Sequence, residues 1–553
     1  MITEKGKKIL LVLIIIFAFI LRFWKITDYP AGFSLDEISQ GYTAYSILKT
    51  GKDEWGVFLP LAPRAFGDFR SPLYTYLTIP TVAIFGLNNF SVRLPSAIIG
   101  VMAVLAVYWL VKEIGGELLA LISSFFLAIS PWHFSLSRGA FEASLNTFLL
   151  PLGMFLFLKG LKKWPYLLVS GFVFGVNLFS YYSPRFFTPL TVIVLIIYFK
   201  RDFFRQKKNK YFLLIFAFFF FLAILTFFTG GKTRVADTSI LNPTDRWQVL
   251  SERQYEASFF GAPVQFERIF NNKVIFVVNQ FVKNYFEYFS FEFLFTRGAS
   301  EATYGMIPGR GVLYWFELPL LIFMAVNIFK ENKRHFKLIV ILLLLSPIAA
   351  ALAKGERAAN RSSTMLPFWQ ILSAAGAVEL FKWTKGKFTN YYKYFLVFYS
   401  LTILIFFAFF LEDYFYHSQK YNAFSMAYGW EEAMEFIKKI ENKYDRIIVS
   451  KRFSEPQAGV AFYKGWEPVD FQKNAQEWLV YEKMGYLFVD QMPQYKLGKY
   501  LFKKINFPED LVAGNTLVVG TDEDFWGVND GKILKIVYYP GPDKKVAFKI
   551  VKF

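Results

Sequence analysis

The chain has 553 residues, of which 55% are hydrophobic, 20% aromatic and 19% charged, with a mean hydropathy of +0.33. Soluble domains carry about 25% charged residues, so these figures exclude a disordered chain, a coiled coil and an ordinary soluble enzyme. They indicate a polytopic membrane protein with a water-facing part. The formal charge of +19 is assigned to Lys- and Arg-rich cytoplasmic loops and not to a nucleic-acid surface. There is no cysteine, hence no disulfide, thiolate or Cys metal site. The three histidines, His133, His335 and His417, are too scattered for a His-rich metal centre.

A span needs about 20 apolar residues. Candidates in chain order lie near 9–25, 92–111, 117–133, 143–159, 165–182, 186–199, 211–228, 311–329, 337–353, 362–381 and 394–411, about 11 transmembrane helices. The first follows Lys5, Lys7 and Lys8 and lacks a small-x-small cleavage site, so it is expected to be an uncleaved anchor. The stretch 73–85 is short and interrupted by Pro80. Leaving it out of the membrane puts 21 basic residues on the side of the N-terminus and five in the short turns opposite, the bias expected of a cytoplasmic face. It is therefore placed as a helix at the outer interface. This topology predicts a multi-pass cell-membrane protein with a cytoplasmic N-terminus. Residues 26–91, 229–310 and the tail from about 412 face the outside, together with the catalytic face.

The tail alternates helical and strand patterns. Trp430–Ile440 is amphipathic, and Arg446–Ser450, Tyr486–Val489 and Thr516–Val519 read as buried strands. Ile533–Tyr539 and Lys545–Val551 form an expected hairpin around Pro540-Gly541-Pro542-Asp543. The expected division is a membrane domain over 1–411 and an extracytoplasmic α/β domain over 412–553.

Chemistry is sought on the outer face. Asp36 and Glu37 follow the first span. Ser34-x-x-Glu37 matches a capping box, which gives Glu37 a structural role, whereas Asp36 gains only a favourable helix dipole. Arg64 and Arg70 come next, and Arg70 suits either a phosphate or an anionic lipid surface. Arg138 and Glu142 are spaced i, i+4. They form either a helix salt bridge worth a few tenths of a kcal/mol or part of a membrane-level cavity. His133 reads as a hydrogen-bonded interfacial residue before a base. Tyr182, Arg185, Arg357 and Arg361 lie in outer turns where basic residues run against the charge bias. Phosphate binding or snorkelling to headgroups accounts for them.

Several segments then carry a resemblance. The Asp36-Glu37 pair, Arg70-Ser71-Pro72-Leu73-Tyr74, Ser91-Val92-Arg93-Leu94-Pro95-Ser96, Ser130-Pro131 and Ser137-Arg138-x-x-x-Glu142 follow one another over residues 1–200. In this order they resemble the GT-C glycosyltransferases, in the branch of protein O-mannosyltransferases and lipid A aminoarabinose transferases (families 39 and 83). Weaker likeness continues at Asn284-Tyr285, Phe293-Leu294-Phe295 and Asn360-Arg361, and the Trp-Trp-Asp motif of oligosaccharyltransferases is absent. Glu142 stands where that group often has aspartate. The resemblance implies transfer of a single sugar from a polyprenyl phosphate to a hydroxyl of a glycan, lipid or protein, with inversion, and no nucleic-acid partner. In it, Asp36 is the candidate base, with Glu37 and Glu142 as further acids. Arg64, Arg70, Arg138 and Arg361 are the candidates for stabilising the leaving phosphate. No metal site is legible, and a divalent cation sharing the charge is left open. A lipid-linked sugar flippase and a non-catalytic envelope scaffold are the alternatives.

Overall fold

The computed structural model describes residues 3–65, 69–226, 228, 239–241, 247–300, 304–328, 334–486, 488–507, 515–527 and 531–553. Residues 229–238, 242–246 and 301–303 of the expected outer loop 229–310 and the basic residues Lys330 and Lys333 thus lie outside the described residues. Helix α1 spans Glu4–Phe23, α2 Leu35–Thr50, α3 Pro72–Phe85, α4 Asn89–Gly115, α5 Glu117–Ile129 and α6 Pro131–Leu136. They are followed by α7 (Ser144–Lys162), α8 (Pro165–Asn177), α9 (Tyr182–Tyr198) and α10 (Lys210–Thr226). Further on come α11 (Lys273–Glu287), α12 (Glu317–Ile328), α13 (Arg334–Leu345), α14 (Phe368–Lys387) and α15 (Tyr392–Glu412).

Among the described residues, four helical stretches are long and apolar enough to cross a bilayer alone: Asn89–Gly115, Lys207–Thr226, Ser363–Lys387 and Tyr392–Ser425. Shorter apolar helices, including α3, α5, α7, α8 and α9, pack around them. The apolar side chains divide into two populations. Ala103, Val107 and Leu110 of α4 are buried against α1, α5 and α7, whereas Leu401, Leu404 and Phe409 of α15 face outward. An outward apolar face on so long a helix is stable only in a hydrocarbon surrounding. The expected helical membrane fold is thus present.

The tail contains α16 (Trp430–Ile440), α17 (Pro456–Lys464), α18 (Pro468–Trp478) and a six-stranded sheet. Its strands are β1 (Arg446–Ser450), β2 (Gln494–Leu497), β3 (Tyr500–Lys503), β4 (Thr516–Gly520), β5 (Lys532–Tyr538) and β6 (Val546–Lys552). The order is β2-β3-β1-β4-β6-β5, with β1 parallel to β3 and β4 and the remaining pairs antiparallel. The strands at 446, 516 and the closing hairpin agree with expectation. The strand expected at Tyr486–Val489 does not form: Val489–Gln491 is a 3-10 turn, and the edge pair β2 and β3 lies just beyond it. Those two strands are four residues each, too short for a clear period-2 signal.

Phe33, Ile38, Tyr42, Trp55 and Tyr74 share one apolar core with Trp430, Phe462, Phe471 and Trp478. The segment between α1 and α4 therefore packs on the tail as well as on the membrane helices. Gly41 of α2 marks the tightest crossing. A Cβ there would stand 2.6 Å from both the Phe462 ring and Val92 Cγ2, so only a residue without a side chain lets α2 pass between α4 and α17.

Candidate active site

The chain leaves α1 at Trp24 and re-enters a helix at Leu35. Ser34 starts α2 through a capping box: the Glu37 amide donates to Ser34 Oγ (3.3 Å) and the Ser34 amide to Glu37 Oε2 (2.9 Å). Successive residues diverge by about 100° around a helix, so Asp36 and Glu37 point to different surroundings. Glu37 is fully buried and Asp36 is half exposed.

Glu37 is saturated. Arg93 of α4 donates from Nε to its Oε1 (2.8 Å) and from Nη2 to its Oε2 (3.1 Å), and the Ala140 amide donates to Oε1 (2.8 Å). Arg93, also fully buried, reaches the carbonyls of Ile26 (2.9 Å), Pro30 (3.3 Å) and Gly32 (2.6 Å). A buried pair of this kind holds when its remaining polar atoms are satisfied, as they are here. It joins residues 26–32, α2, α4 and the turn before α7.

Asp36 meets Arg70. Arg70 Nη2 donates to Asp36 Oδ1 and Nη1 to the Asp36 carbonyl, both at 2.7 Å. One helical turn after Asp36, Gln40 donates from Nε2 to Glu142 Oε1 (3.1 Å). Asn360 donates to the Tyr181 hydroxyl (2.8 Å). Asp36, Gln40, Arg70, Glu142, Tyr181, Tyr304 and Asn360 line one narrow cavity of about 20 Å³. Its lining thus combines two carboxylates, one guanidinium and neutral hydrogen-bonding groups.

One turn beyond Gln40 on the same face of α2, Thr43 Oγ1 donates to Glu54 Oε1 (2.9 Å). Burial, and next the neighbouring Asp53, push the Glu54 carboxyl up to about 8, against the pull of the Arg70 charge.

Of the residues singled out in the sequence, Asp36, Arg70 and Glu142 converge. The others are engaged elsewhere. Glu37 holds Arg93 and the turn, and does not line the cavity. Arg138 donates to the carbonyls of Leu21 (2.6 Å), Trp24 (2.6 Å) and Tyr29 (3.3 Å). It caps the C-terminal end of α1, where free carbonyls call for donors, and forms no i, i+4 pair with Glu142 because residues 137–143 turn before α7 begins. Arg64 stacks over Trp55 at 4.5 Å and donates to Tyr481 and Glu482 of the tail. His133 is buried between Arg22 Nη2 (2.8 Å) and Thr147 Oγ1 (3.2 Å). Tyr182 donates to the Phe69 carbonyl (2.6 Å), and Arg185 lies 4.6 Å over the Tyr182 ring and donates to the Leu178 carbonyl (3.2 Å). Arg361 donates to the Lys354 carbonyl beside Asn360, and Arg357 pairs with Glu292 (2.8 Å) and Glu287 (3.4 Å).

Gln40, Tyr181, Tyr304, Asn360 and Arg93 were not singled out for roles. Two of them carried a signal: Gln40 sits at i+4 from Asp36, hence on its face, and Arg93 is a charge inside an apolar helix, a position that demands a partner. For a cation the cavity offers the carboxylates of Asp36 and Glu142. Among the described residues, the trio of carboxylate and imidazole groups close enough to share an ion is Glu412, Asp413 and His417, outside this cavity.

Residues 69–227 match the family model described as dolichyl-phosphate-mannose-protein mannosyltransferase. A protein of Bacillus subtilis (strain 168), provisionally named mannosyltransferase YkcB, is 34% identical over 110 residues, and that match spans 20% of this chain and 15% of the relative. Among solved structures, ArnT from Cupriavidus metallidurans in the apo state aligns with a TM-score of 0.52 and 10% identity, over 99% of this chain and 98% of its own. The same protein bound to undecaprenyl phosphate aligns with a TM-score of 0.51 and 10% identity, over 100% and 98%. The chain therefore shares the fold of ArnT, which fits the GT-C fold expected from the resemblance.

Proposed function

From a chain with the GT-C fold, we propose a membrane glycosyltransferase that moves one sugar from a polyprenyl-phosphate donor to an acceptor hydroxyl on the extracytoplasmic side. The observation that carries this reading is the meeting of Asp36, Arg70 and Glu142 in one cavity beside the membrane helices. The mannosyltransferase model over residues 69–227 and the undecaprenyl phosphate held by ArnT support the class of donor. The topology proposed with it has eleven spans, a cytoplasmic N-terminus and an outer tail from about 412.

In this reading Asp36 accepts the proton of the acceptor hydroxyl as its oxygen attacks the anomeric carbon. The bond from that carbon to the phosphate oxygen breaks, and the electron pair leaves with polyprenyl phosphate. A hydroxyl is a poor nucleophile until a base takes its proton, whereas the phosphate is already a good leaving group. Arg70 has two tasks: it orients Asp36 through its double contact and places positive charge where the phosphate gains negative charge. Glu142, held by Gln40, receives acceptor hydroxyls. Attack opposite the leaving group inverts the anomeric centre.

The test is donor turnover by the full chain in lipid nanodiscs, with an isoprenoid-phosphate mannose as probe. Release of polyprenyl phosphate, to acceptor or to water, should fall on the order of 10²-fold or more in Asp36→Asn. Equal release by Asp36→Asn and wild type would remove Asp36 as base, and flipping of the donor without cleavage would replace the reading with transport.

A further inference from the structure

A second cavity, of about 460 Å³, opens between residues 27–33 of the first outer loop and residues 427–435 at the start of α16. That volume lies within the ~300–1,000 Å³ typical of small-molecule sites. It shares no lining residue with the Asp36 cavity. Its walls carry the partly exposed rings of Tyr29, Tyr428 and Tyr463 and the carboxylates of Asp28, Glu431 and Glu435. Asn89 organises one side: it donates to Glu431 Oε2 (2.9 Å) and accepts from the Tyr463 hydroxyl (3.3 Å). Among the described residues no lysine or arginine lines the cavity, although the chain carries a net charge of +19.

This lining selects its ligand by chemistry. It is rich in hydrogen-bond acceptors, so the ligand must bring donors. It is walled by aromatic faces, so the ligand needs flat C–H surfaces to cover them. It holds several carboxylates and no cation, so phosphate, sulfate and uronate groups are repelled. Sugar rings without acidic substituents meet all three conditions. Phe33, in this cavity, is three residues before Asp36, so the two Cα atoms are at most on the order of 10 Å apart.

We infer that this cleft binds a non-anionic saccharide chain and holds the acceptor beside the reaction site. The inference rests on the transferase reading above and names its acceptor class.

The experiment uses the full chain in nanodiscs and a panel of tetrasaccharides: neutral manno-, gluco- and galacto- members, their uronic-acid counterparts, and spermidine as a cation control. Binding is read by saturation-transfer NMR. At least one neutral member should bind, with at least a tenfold loss in Tyr428→Ala and in Glu435→Gln, while Tyr428→Phe, which keeps the ring, retains it. If Tyr428→Ala fails to fold, Glu435→Gln carries the comparison. Binding of acidic members only, of spermidine only, or of nothing in the panel overturns the inference. Acceptor-free release of polyprenyl phosphate, run in parallel, separates the two readings. Absence of saccharide binding by the wild type with Asp36-dependent release intact overturns the cleft alone, whereas absence of release overturns the transferase itself.

Discussion

Arg93 and Glu37 form a fully buried ion pair, with Arg93 Nε 2.8 Å from Glu37 Oε1, and this pair fixes the distance between the two elements that carry Asp36 and Glu142. Glu37 sits beside Asp36 in the first turn of α2, and its carboxylate also takes the Ala140 amide two residues before Glu142. Neither partner lines the cavity, yet both determine its shape.

Removing one member of such a pair leaves a buried charge uncompensated, which costs about 3–5 kcal/mol. Glu37→Gln keeps the capping geometry but strands Arg93. It should lower the melting temperature and the yield of folded protein, with activity per folded molecule reduced less. Asp36→Asn should do the reverse, melting as the wild type and losing turnover. Thermal melts paired with donor-release rates on both variants check this, and a wild-type melting temperature for Glu37→Gln would refute the clamp.

Arg138 gives a second contrast. As the cap of α1 it should act on stability, because Arg138→Gln leaves the carbonyls of Leu21 and Trp24 without their donors, at about 1–3 kcal/mol for each buried group left unpaired. Donor affinity in the folded fraction should stay within about twofold, a few tenths of a kcal/mol at most. A tenfold weaker donor with an unchanged melt would return Arg138 to the phosphate.

Glu54 makes stability depend on pH. Its folded carboxyl titrates near 8, raised by burial and by Asp53, well above its ordinary range near 4.3. The folded state therefore binds a proton that the unfolded state has already lost between these values. Stability from this group is full below the unfolded value and is lost as pH rises towards 8. Melting temperature should fall from pH 5 to pH 8, and Glu54→Gln should flatten that slope. An unchanged slope would show that Glu54 is charged in the folded protein.

Gly41 tests the crossing of α2. Gly41→Leu drives a side chain against Phe462 and Val92, and overpacking of this sort costs about 1–3 kcal/mol. Because α2 also carries Asp36 and Gln40, turnover should fall along with stability. A double variant with Phe462→Ala, which opens space for the new side chain, should recover part of both. No recovery would mean that the strain lies on the Val92 side.

The sequence is most informative where one physical rule acts alone. Apolar length located apolar helices, four of which among the described residues are long enough to cross a bilayer, the Ser34-x-x-Glu37 spacing marks the cap that the structure contains, and the hairpin at Pro540–Asp543 follows from its turn residues. It is least informative about arginine. Arg70, Arg93, Arg138 and Arg64 look alike along the chain, but one lines the cavity, one clamps a carboxylate, one caps a helix and one stacks on the tail. Those differences arise from partners many residues away, such as Glu37 for Arg93 or Glu482 for Arg64, and local patterning carries no trace of them. Asn360 and Tyr304 reach the cavity from distant segments for the same reason.

Helix α2 presents Asp36 and Gln40 to the cavity and, just after them, Gly41 and Tyr42 to the tail. Gln472 of α18 donates to Ser46 (3.2 Å), Thr50 (3.0 Å) and the Asp53 carbonyl (3.0 Å) at its far end. The tail and residues 33–65 are thus coupled through one packed interface. A chimera that grafts residues 412–553 from a relative onto this membrane part should fold only when residues 33–65 are exchanged with it, and recombination between the two would be selected against even though nearly 350 residues of chain lie between them.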